Sequence, residues 1–425
     1  MDTITSDRAV VITIGNEILS GKTVNTNASY ISKKLGETGI KTVRSISVGD
    51  ERLDIQWAVK EACSSADIII CTGGLGPTWD DISKRTVSEY FGRSIKLDRE
   101  QLRIVEEKFR ALGYEKMPEN NITQAEIPEG AVVFPNSRGT APGLLIIDGS
   151  THFFMLPGVP SEMKGLMPEQ IIPYLQKTLQ KQEIFLFRTI RTTGINESLL
   201  AELLHPVLGN LDDPEVAFLP NPYGVDVGLT TKGKNNEEIL QKVRRIEEDI
   251  LKIVSKYIYG YDDDTMESIV GFLLKKLDLS LSTAESCTGG LIGDRITAVP
   301  GSSEYFDRGV ITYSNQSKID LLDVDPSTLE EKGAVSEEIA RQMAEGIRKK
   351  SGCDISIATT GIAGPSGGSP EKPVGLVYIA LADKFGTVVH KLHFRGERTR
   401  IKQQTTQAAL NLIRLRLNDK NLYSD

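Results

Sequence analysis

Three reactive side chains are spaced in this chain so that one fold could bring them together. Ser286 and Cys287 close the apolar run LSLSTAE and open the turn SCTGG. Lys318 follows 32 residues later, just after a second strand-like run, GVITY, that ends at Tyr313. A hydroxyl beside a Gly-rich turn at a strand end is exposed for attack. Backbone N–H groups around Thr288, Gly289 and Gly290 then point to where an oxyanion would develop. A lysine held beside that hydroxyl can act as its base, provided burial keeps the amine neutral. The spacing therefore suggests acyl chemistry in which Ser286 attacks a carbonyl, Lys318 takes the proton and the Tyr313 hydroxyl bridges the two. Cys287 competes as nucleophile, because a thiolate is the stronger one near neutrality. No histidine lies near in sequence, which leaves a Ser-His-Asp reading without a base. Taken singly, Ser286 also reads as a helix cap, Lys318 as a solvated surface charge and Tyr313 as a core aromatic with a wet tip.

A second chemical turn lies near the start. The apolar run ADIIIC leads into Thr72, Gly73, Gly74, Leu75, Gly76 and Pro77, and a helix is expected to open near Asp80 and Asp81. Three glycines let backbone N–H groups approach a phosphate, and a helix N-terminus adds its positive end. The two acids could hold a divalent ion bridging phosphates. The same residues read equally as a tight turn followed by an acidic helix start.

Other candidates cluster towards the C-terminus. Ser303, in PGSSEYF, is a hydroxyl donor, and Thr360 ends an apolar run and enters GIAGPSGG. That loop, with Gly361 and Gly364, can wrap a phosphate or ribose with backbone donors, or it is simply a flexible surface loop. Arg400, with Arg395 and Arg398 as alternatives in FRGERTR, can clamp a phosphate bidentately.

These residues need elements to position them. AVVITIG is a continuous β-branched run of the kind buried on both faces of a parallel sheet. Runs of this type alternate with helical segments through residue 170, which predicts a doubly wound, mostly parallel sheet. Ligands of such sheets sit beyond the carboxyl ends of the strands. Residues 171–260 read as a small α+β connector: a strand, a helix capped by Asn196, the strand VDVGLTTKG, and a strongly amphipathic helix from Asn235 onward. Its positive TTKGK turn hints at RNA, but the acidic helix and lack of interleaved aromatics favour a spacer or dimerisation module. Thr265 is the expected N-cap of a helix over 266–277, which opens a third domain over 261–425.

Composition bounds the function. The chain has 425 residues, 39% hydrophobic and 25% charged, with a net charge of −8. That length fits about three domains, and the negative balance argues against nucleic acid as the main partner. Four scattered cysteines (63, 71, 287, 353) without a CxxC pair indicate neither a zinc site nor a disulfide framework and fit a reducing cytoplasm. The start MDTITSDRAV lacks an apolar signal core, and no apolar stretch is long enough to span a membrane. The expectation is a cytoplasmic protein with small-molecule partners.

The motifs IGNEILSGKTVNTN, TGGLGPTWDD, NSRGTAPG and LPGVPSEM together resemble the N-terminal domain of the CinA (competence/damage-inducible) family, which is similar to molybdopterin-binding domains. TAESCTGG, PGSSEYFDRGVITYSNQSK, GAVSEE, TGIAGPSGG, KPVGLVYIAL and FRGERTR resemble its C-terminal domain, that of nicotinamide mononucleotide deamidases. The resemblance implies a three-layer α/β/α fold for that last domain. It implies nicotinamide mononucleotide as substrate, Ser286 rather than Cys287 as nucleophile, Arg400 rather than its neighbours on the phosphate, and no cofactor. For residues 1–170 it implies one cleft formed by Asn16, Glu17, Gly73, Gly74, Gly76, Asp80, Asp81, Asn136, Gly139, Gly158 and Pro160. The implied reaction there is hydrolysis of the ADP-ribose pyrophosphate bond with a divalent cation (Mg, Mn, Co or Ni) at Asp80 and Asp81, and potassium as an accessory ion. Nucleotide or pterin binding without hydrolysis, and a scaffold linked to DNA uptake or repair, are the alternatives. A homodimer is expected.

Overall fold

The apolar run near the N-terminus is buried from both sides because its residues alternate between two helical layers. The computed structural model describes residues 4, 6–179, 184–233, 235–419 and 422–423. In the strand Arg8–Ile14, Val10, Ile12 and Ile14 pack with Ile55, Ala58 and Val59 of the helix Arg52–Ser65. Ala9 and Val11 pack on the other face with Ile31 and Leu35 of the helix Thr26–Gly36. With both faces covered, every side chain of the strand after Arg8 is buried and all are apolar except Thr13, whose hydroxyl accepts from Asn25 Nδ2 at 3.0 Å, so the period-2 signal disappears. The sheet has six strands in the order Lys41–Val48, Arg8–Ile14, Ile68–Thr72, Thr151–Leu156, Gly143–Asp148, Val132–Phe134. The first four are mutually parallel, Gly143–Asp148 runs antiparallel to Thr151–Leu156, and Val132–Phe134 runs antiparallel to Gly143–Asp148.

The described chain divides into two compact units: residues up to Leu186 with 232–239, and Phe187–Thr231 with Leu240 onward. The second contains two sheets. Glu215–Asn221, Gly224–Gly233, Ile184–Thr192 and Ile258–Tyr261 form a four-stranded sheet, accompanied by the helices Glu197–Leu208 and Asn236–Val254. Asn196 caps the first of these helices by accepting from the Leu199 N–H at 2.9 Å. The TTKGK turn runs into Lys234, which lies outside the described residues.

The other sheet is a three-layer α/β/α arrangement. Its strand order is Phe306–Ile311, Leu281–Glu285, Ile355–Gly361, Leu376–Asp383, Gly386–His393, with the first three parallel. One face presents Leu281, Ile357, Val377, Ile379 and Leu381 to the helices Met266–Lys276 and Arg398–Leu417. The other face is lined by small residues. Ala284 pairs with Ala358, and Ala358 with Ala380, so a row of methyls crosses three strands. The helix Glu337–Ser351 packs over that row through Ala340, Met343, Ala344 and Ile347. Thr265 closes the start of Met266–Lys276 with a reciprocal capping box to Ser268. Among the described residues no helix is long and apolar enough to cross a membrane.

Candidate active site in the C-terminal sheet

Parallel pairing closes the 32-residue gap between hydroxyl and amine. Glu285 lies opposite Ile311, so Thr312 leaves the neighbouring strand beside Ser286. The Thr312 N–H donates to the Glu285 carbonyl at 2.8 Å, and the Ser286 N–H donates to the Thr359 carbonyl at 3.0 Å. Ser314 then caps the helix Asn315–Leu322, accepting from the Ser317 N–H at 3.0 Å. That cap directs the first turn of the helix back over the strand ends. Lys318 is 1% exposed, and its Nζ lies 3.2 Å from Ser286 Oγ. The amine also donates to the carbonyls of Thr312 at 2.7 Å and Ser314 at 3.4 Å. No carboxylate pairs with it among the described residues. Burial pushes its pKa down, and the nearby Cys287 offsets this only in part. A neutral amine has two N–H bonds and one lone pair. With two carbonyls taking the N–H bonds, the lone pair is left for the Ser286 hydroxyl.

Cys287 is buried, and burial raises its thiol to about 12. It is therefore held as a thiol near neutral pH, which removes it as the competing nucleophile.

Four expected roles change in the structure. Tyr313 does not bridge Ser286 and Lys318, because the amine reaches the hydroxyl directly. The ring is 60% exposed, and its hydroxyl accepts from Arg398 Nη2 at 2.6 Å. Gly289 and Gly290 are not free oxyanion donors. The Gly289 N–H donates to the Ser286 carbonyl at 3.1 Å and the Gly290 N–H to Glu285 Oε2 at 2.9 Å. Ser303 lies in the short helix before the strand Phe306–Ile311, at the amino end of a strand whose carboxyl end approaches Ser286. Five residues of strand separate them, on the order of 15 Å. Arg400 is set apart from Ser286 by helical phase. At 100° per residue, Arg398 and Lys402 share one face of Arg398–Leu417, and Arg400 lies roughly 200° round from Arg398. Arg398 is the arginine that turns towards the site, since it also donates to the Gly364 carbonyl at 2.9 Å. A side chain placed on Gly289 would come within 3.5 Å of Lys402 Nζ, so this second cation borders the same turn.

The remaining candidates are structural neighbours of the pair. Thr288 shares a hydrogen bond with Thr359 at 2.8 Å between their hydroxyls. The Thr360 hydroxyl donates to the Ala334 carbonyl at 2.7 Å, and Gly361 pairs with Val377. The turn is pinned by a residue whose role sequence reasoning missed. Glu285, 1% exposed, accepts from the N–H groups of Gly290 (2.9 Å), Ile292 (3.1 Å) and Gly293 (2.9 Å). Its carboxylate takes the orphan donors at the start of the helix Leu291–Thr297, where an anion is favoured. The available signal was an acid just before a Gly-Gly turn and a short helix.

In the N-terminal unit the turn after Ile68–Thr72 sits beyond the carboxyl ends of the central strands. Gly73 has φ 111°, and a Cβ there would fall 2.1 Å from the Ile14 carbonyl oxygen, so only glycine fits. Gly158 is likewise pressed against Gly73. Gly74, Gly76 and Asp81 line a cavity of about 420 Å³ with Lys84, Arg85 and the exposed Trp79. The helix begins at Ser83, slightly later than expected, and Asp81 serves the turn before it by accepting from the Thr78 N–H at 2.9 Å and from its hydroxyl. Asp50 accepts from the Asn16 N–H at 2.9 Å. Burial foremost, and then Glu17, Asp80 and Asp81, push the Asp50 pKa up, partly countered by the Asn16 bond. Lys84 was not singled out from sequence. It is buried, donates to the Thr123 carbonyl, and is lowered by burial to about 8.

Asn136 has its side chain committed to building its own loop. Its amide donates to the Ala141 carbonyl at 2.8 Å and to Glu162 at 2.7 Å, and its oxygen accepts from the Arg138 and Gly139 N–H groups. It is a loop brace and has no donor left for a ligand. Gly139 is packed against the Glu162 carboxylate, and Pro160 starts the helix Pro160–Leu166.

Among the described residues no three His, Cys, Asp or Glu side chains converge closely enough to cage a metal ion. Glu17, Asp80 and Asp81 nevertheless add to the cost of ionising Asp50, which a cation would relieve. This suits an ion held by one or two carboxylates and completed by substrate phosphates and water.

Three family models match this chain: a CinA C-terminal domain over residues 263–417, a probable molybdopterin binding domain over 10–177, and a damage-inducible protein CinA KH domain over 187–260. The chain is 44% identical over 407 residues to a competence-damage inducible protein of Caldicellulosiruptor saccharolyticus, covering 96% of this chain and 98% of that one. It is 41% identical over 407 residues to a CinA-like protein of Kosmotoga olearia, again covering 96% and 98%. A solved competence/damage inducible protein from Agrobacterium tumefaciens is 43% identical, covers 36% of this chain and 94% of its own, and has a TM-score of 0.35.

Proposed function

This chain belongs to the CinA family, and from that premise we propose that its C-terminal sheet hydrolyses the carboxamide of nicotinamide mononucleotide. The observation that carries the reading is the buried Lys318 amine at 3.2 Å from the Ser286 hydroxyl, with no acidic partner among the described residues to hold it protonated. Ser286 Oγ attacks the amide carbon as Lys318 Nζ accepts the hydroxyl proton. The tetrahedral intermediate collapses as Lys318 returns that proton to the departing nitrogen, which leaves as ammonia. Water then attacks the ester on Ser286, with Lys318 again as base, and nicotinic acid mononucleotide is released. Arg398 and Lys402, on the helix face towards the Ser286 turn, supply cations for the 5′-phosphate. No metal is needed for any of these steps. The test is ammonia release from nicotinamide mononucleotide by the full chain and by Ser286→Ala. The wild type should turn over and the variant fall at least 1,000-fold, on the order expected for loss of a nucleophile. Equal rates would overturn the proposal.

For the N-terminal unit we propose hydrolysis of the ADP-ribose diphosphate. The Gly73–Gly76 turn and the cavity with Lys84 and Arg85 support binding of phosphate oxygens. Asp80 and Asp81 would hold the divalent cation, which when bound would neutralise the diphosphate and lower the pKa of water. AMP release from ADP-ribose with and without added cation tests this reading. A cytoplasmic homodimer is proposed with it, testable by light scattering.

A further inference from the structure

The cavity of about 420 Å³ in the N-terminal unit has walls that a diphosphate does not call for. Leu75, Pro77, Ile82 and Ile95 line it, and Trp79 borders it with 93% of its surface exposed. Phosphate oxygens must be paired or hydrated, so an apolar wall offers them nothing. The indole has a large flat apolar face, and the described chain leaves almost all of it to water. A flat aromatic ligand would cover that face, since every base has a π-surface that stacks on an aromatic side chain.

Part of the lining comes from the segment between the helix Ser83–Tyr90 and the strand Val132–Phe134. Its short strand Ile95–Leu97 supplies Ile95, and its short helix Glu119–Ala125 supplies Asn120 and Thr123. Lys84 ties this segment to the turn by donating to the Thr123 carbonyl. The Asn120 side chain is exposed, and its Oδ1 accepts from Asn121 Nδ2 at 3.2 Å. That contact fixes the amide orientation and leaves Asn120 Nδ2 as a donor. Glu126 lines the same space and supplies an acceptor. The charges of the lining balance, Asp81 and Glu126 against Lys84 and Arg85. A donor and an acceptor beside apolar and aromatic walls suit the edge and face of an uncharged base. The volume is near the small end of the range for ligand pockets, roughly 300–1,000 Å³. It therefore admits one half of a dinucleotide-like ester and leaves the group beyond the diphosphate outside.

We propose that this cavity seats the nucleobase of a diphosphate ester, its ring on Trp79, and that the group beyond the second phosphate is not read. The substrate class is then base-carrying diphosphate esters, of which ADP-ribose is one. This rests on the diphosphate hydrolysis proposed above and adds which half of the substrate is recognised. The chain has two tryptophans, Trp57 and Trp79, so Trp57→Phe leaves Trp79 as the sole fluorescent reporter. The full chain is titrated in EDTA with AMP, ribose 5-phosphate and pyrophosphate, up to millimolar concentration, which keeps hydrolysis out of the reading. AMP should quench the emission of Trp57→Phe, the two base-free probes should not, and Trp79→Phe should show no quench. With divalent cation present, Trp79→Leu should raise KM for ADP-ribose about tenfold or more, and by more than it lowers kcat. Trp79→Phe, which keeps a stacking ring, should stay within about threefold of wild type. ADP-glucose should be cleaved with a KM within a few-fold of that for ADP-ribose. Trp57 and Trp79 are both exposed, so neither substitution opens the core, and melting curves check this. An AMP quench without AMP release from ADP-ribose would overturn the hydrolysis and support the base subsite. No AMP quench, an equal quench by ribose 5-phosphate, an unchanged KM in Trp79→Leu, or failure to cleave ADP-glucose while ADP-ribose is cleaved, would each overturn the proposal.

Discussion

Replacing Glu285 by glutamine isolates the residue that holds the nucleophile turn. The side chain keeps its length but loses its charge and one acceptor oxygen. In the native structure Oε2 takes two N–H groups, from Gly290 and Ile292, and Oε1 takes the third, from Gly293. If the glutamine oxygen occupies the Oε2 position, two bonds survive in weaker, uncharged form, and the new NH2 faces the Gly293 N–H donor to donor. Hydrogen bonds to a charged group contribute about 1.5–3 kcal/mol against roughly 1 for neutral ones, and a stranded buried donor costs about 1–3 kcal/mol. Two weakened bonds at about 0.5–2 kcal/mol each and one stranded donor at about 1–3 give a loss of roughly 2–7 kcal/mol, concentrated at the start of Leu291–Thr297. Denaturant unfolding followed by hydrogen exchange of the 286–297 amides should show that loss locally. Ammonia release should fall at least tenfold, because Ser286 is fixed by the same turn. A variant within about 1 kcal/mol of wild type, with unchanged protection at 290–293 and unchanged turnover, would refute the claim that this carboxylate organises the turn.

Ammonia release should rise with pH through the lowered pKa of Lys318, because only the neutral amine accepts the Ser286 proton, and should level off below the free-lysine value of about 10.4. Stability should rise over the same window, since the unfolded chain binds that proton more tightly than the folded one; Lys318→Met should flatten both profiles. Cys287→Ala should retain deamidase activity within a few-fold, as its thiol sits at about 12; loss of activity in that variant alone would transfer the nucleophile to sulfur. EDTA should leave ammonia release unchanged and suppress AMP release from ADP-ribose, and a chelator-sensitive deamidase would contradict the serine–lysine assignment.

Local signals were legible where one physical cause dominates. The double-faced apolar run at 9–15, the Asn196 and Thr265 caps and the amphipathic helix from 236 each follow from short-range chemistry, and each appears in the structure. The meeting of Ser286 and Lys318 was legible from a strand–turn–helix–strand pattern, because parallel pairing returns the chain to the same sheet edge. What failed were assignments that need the far end of a side chain. Tyr313 looked poised to bridge, but Ser314 caps the next helix and brings the amine to Ser286 unaided. Arg398 and Arg400 are two residues apart and equally cationic, and only helical phase separates their faces. Gly290 looked like an oxyanion donor until Glu285 claimed its N–H. Asn136 resembled a ligand contact, yet its side chain is taken up by its own loop and by Glu162.

The most direct measurement mixes the full chain with nicotinamide mononucleotide, quenches in acid within the first turnover, and maps the digest by mass spectrometry. A nicotinate mononucleotide ester is expected on the peptide carrying Ser286, present in wild type and missing in Ser286→Ala. An adduct on Cys287, or ammonia released with no covalent species on this turn, would contradict it.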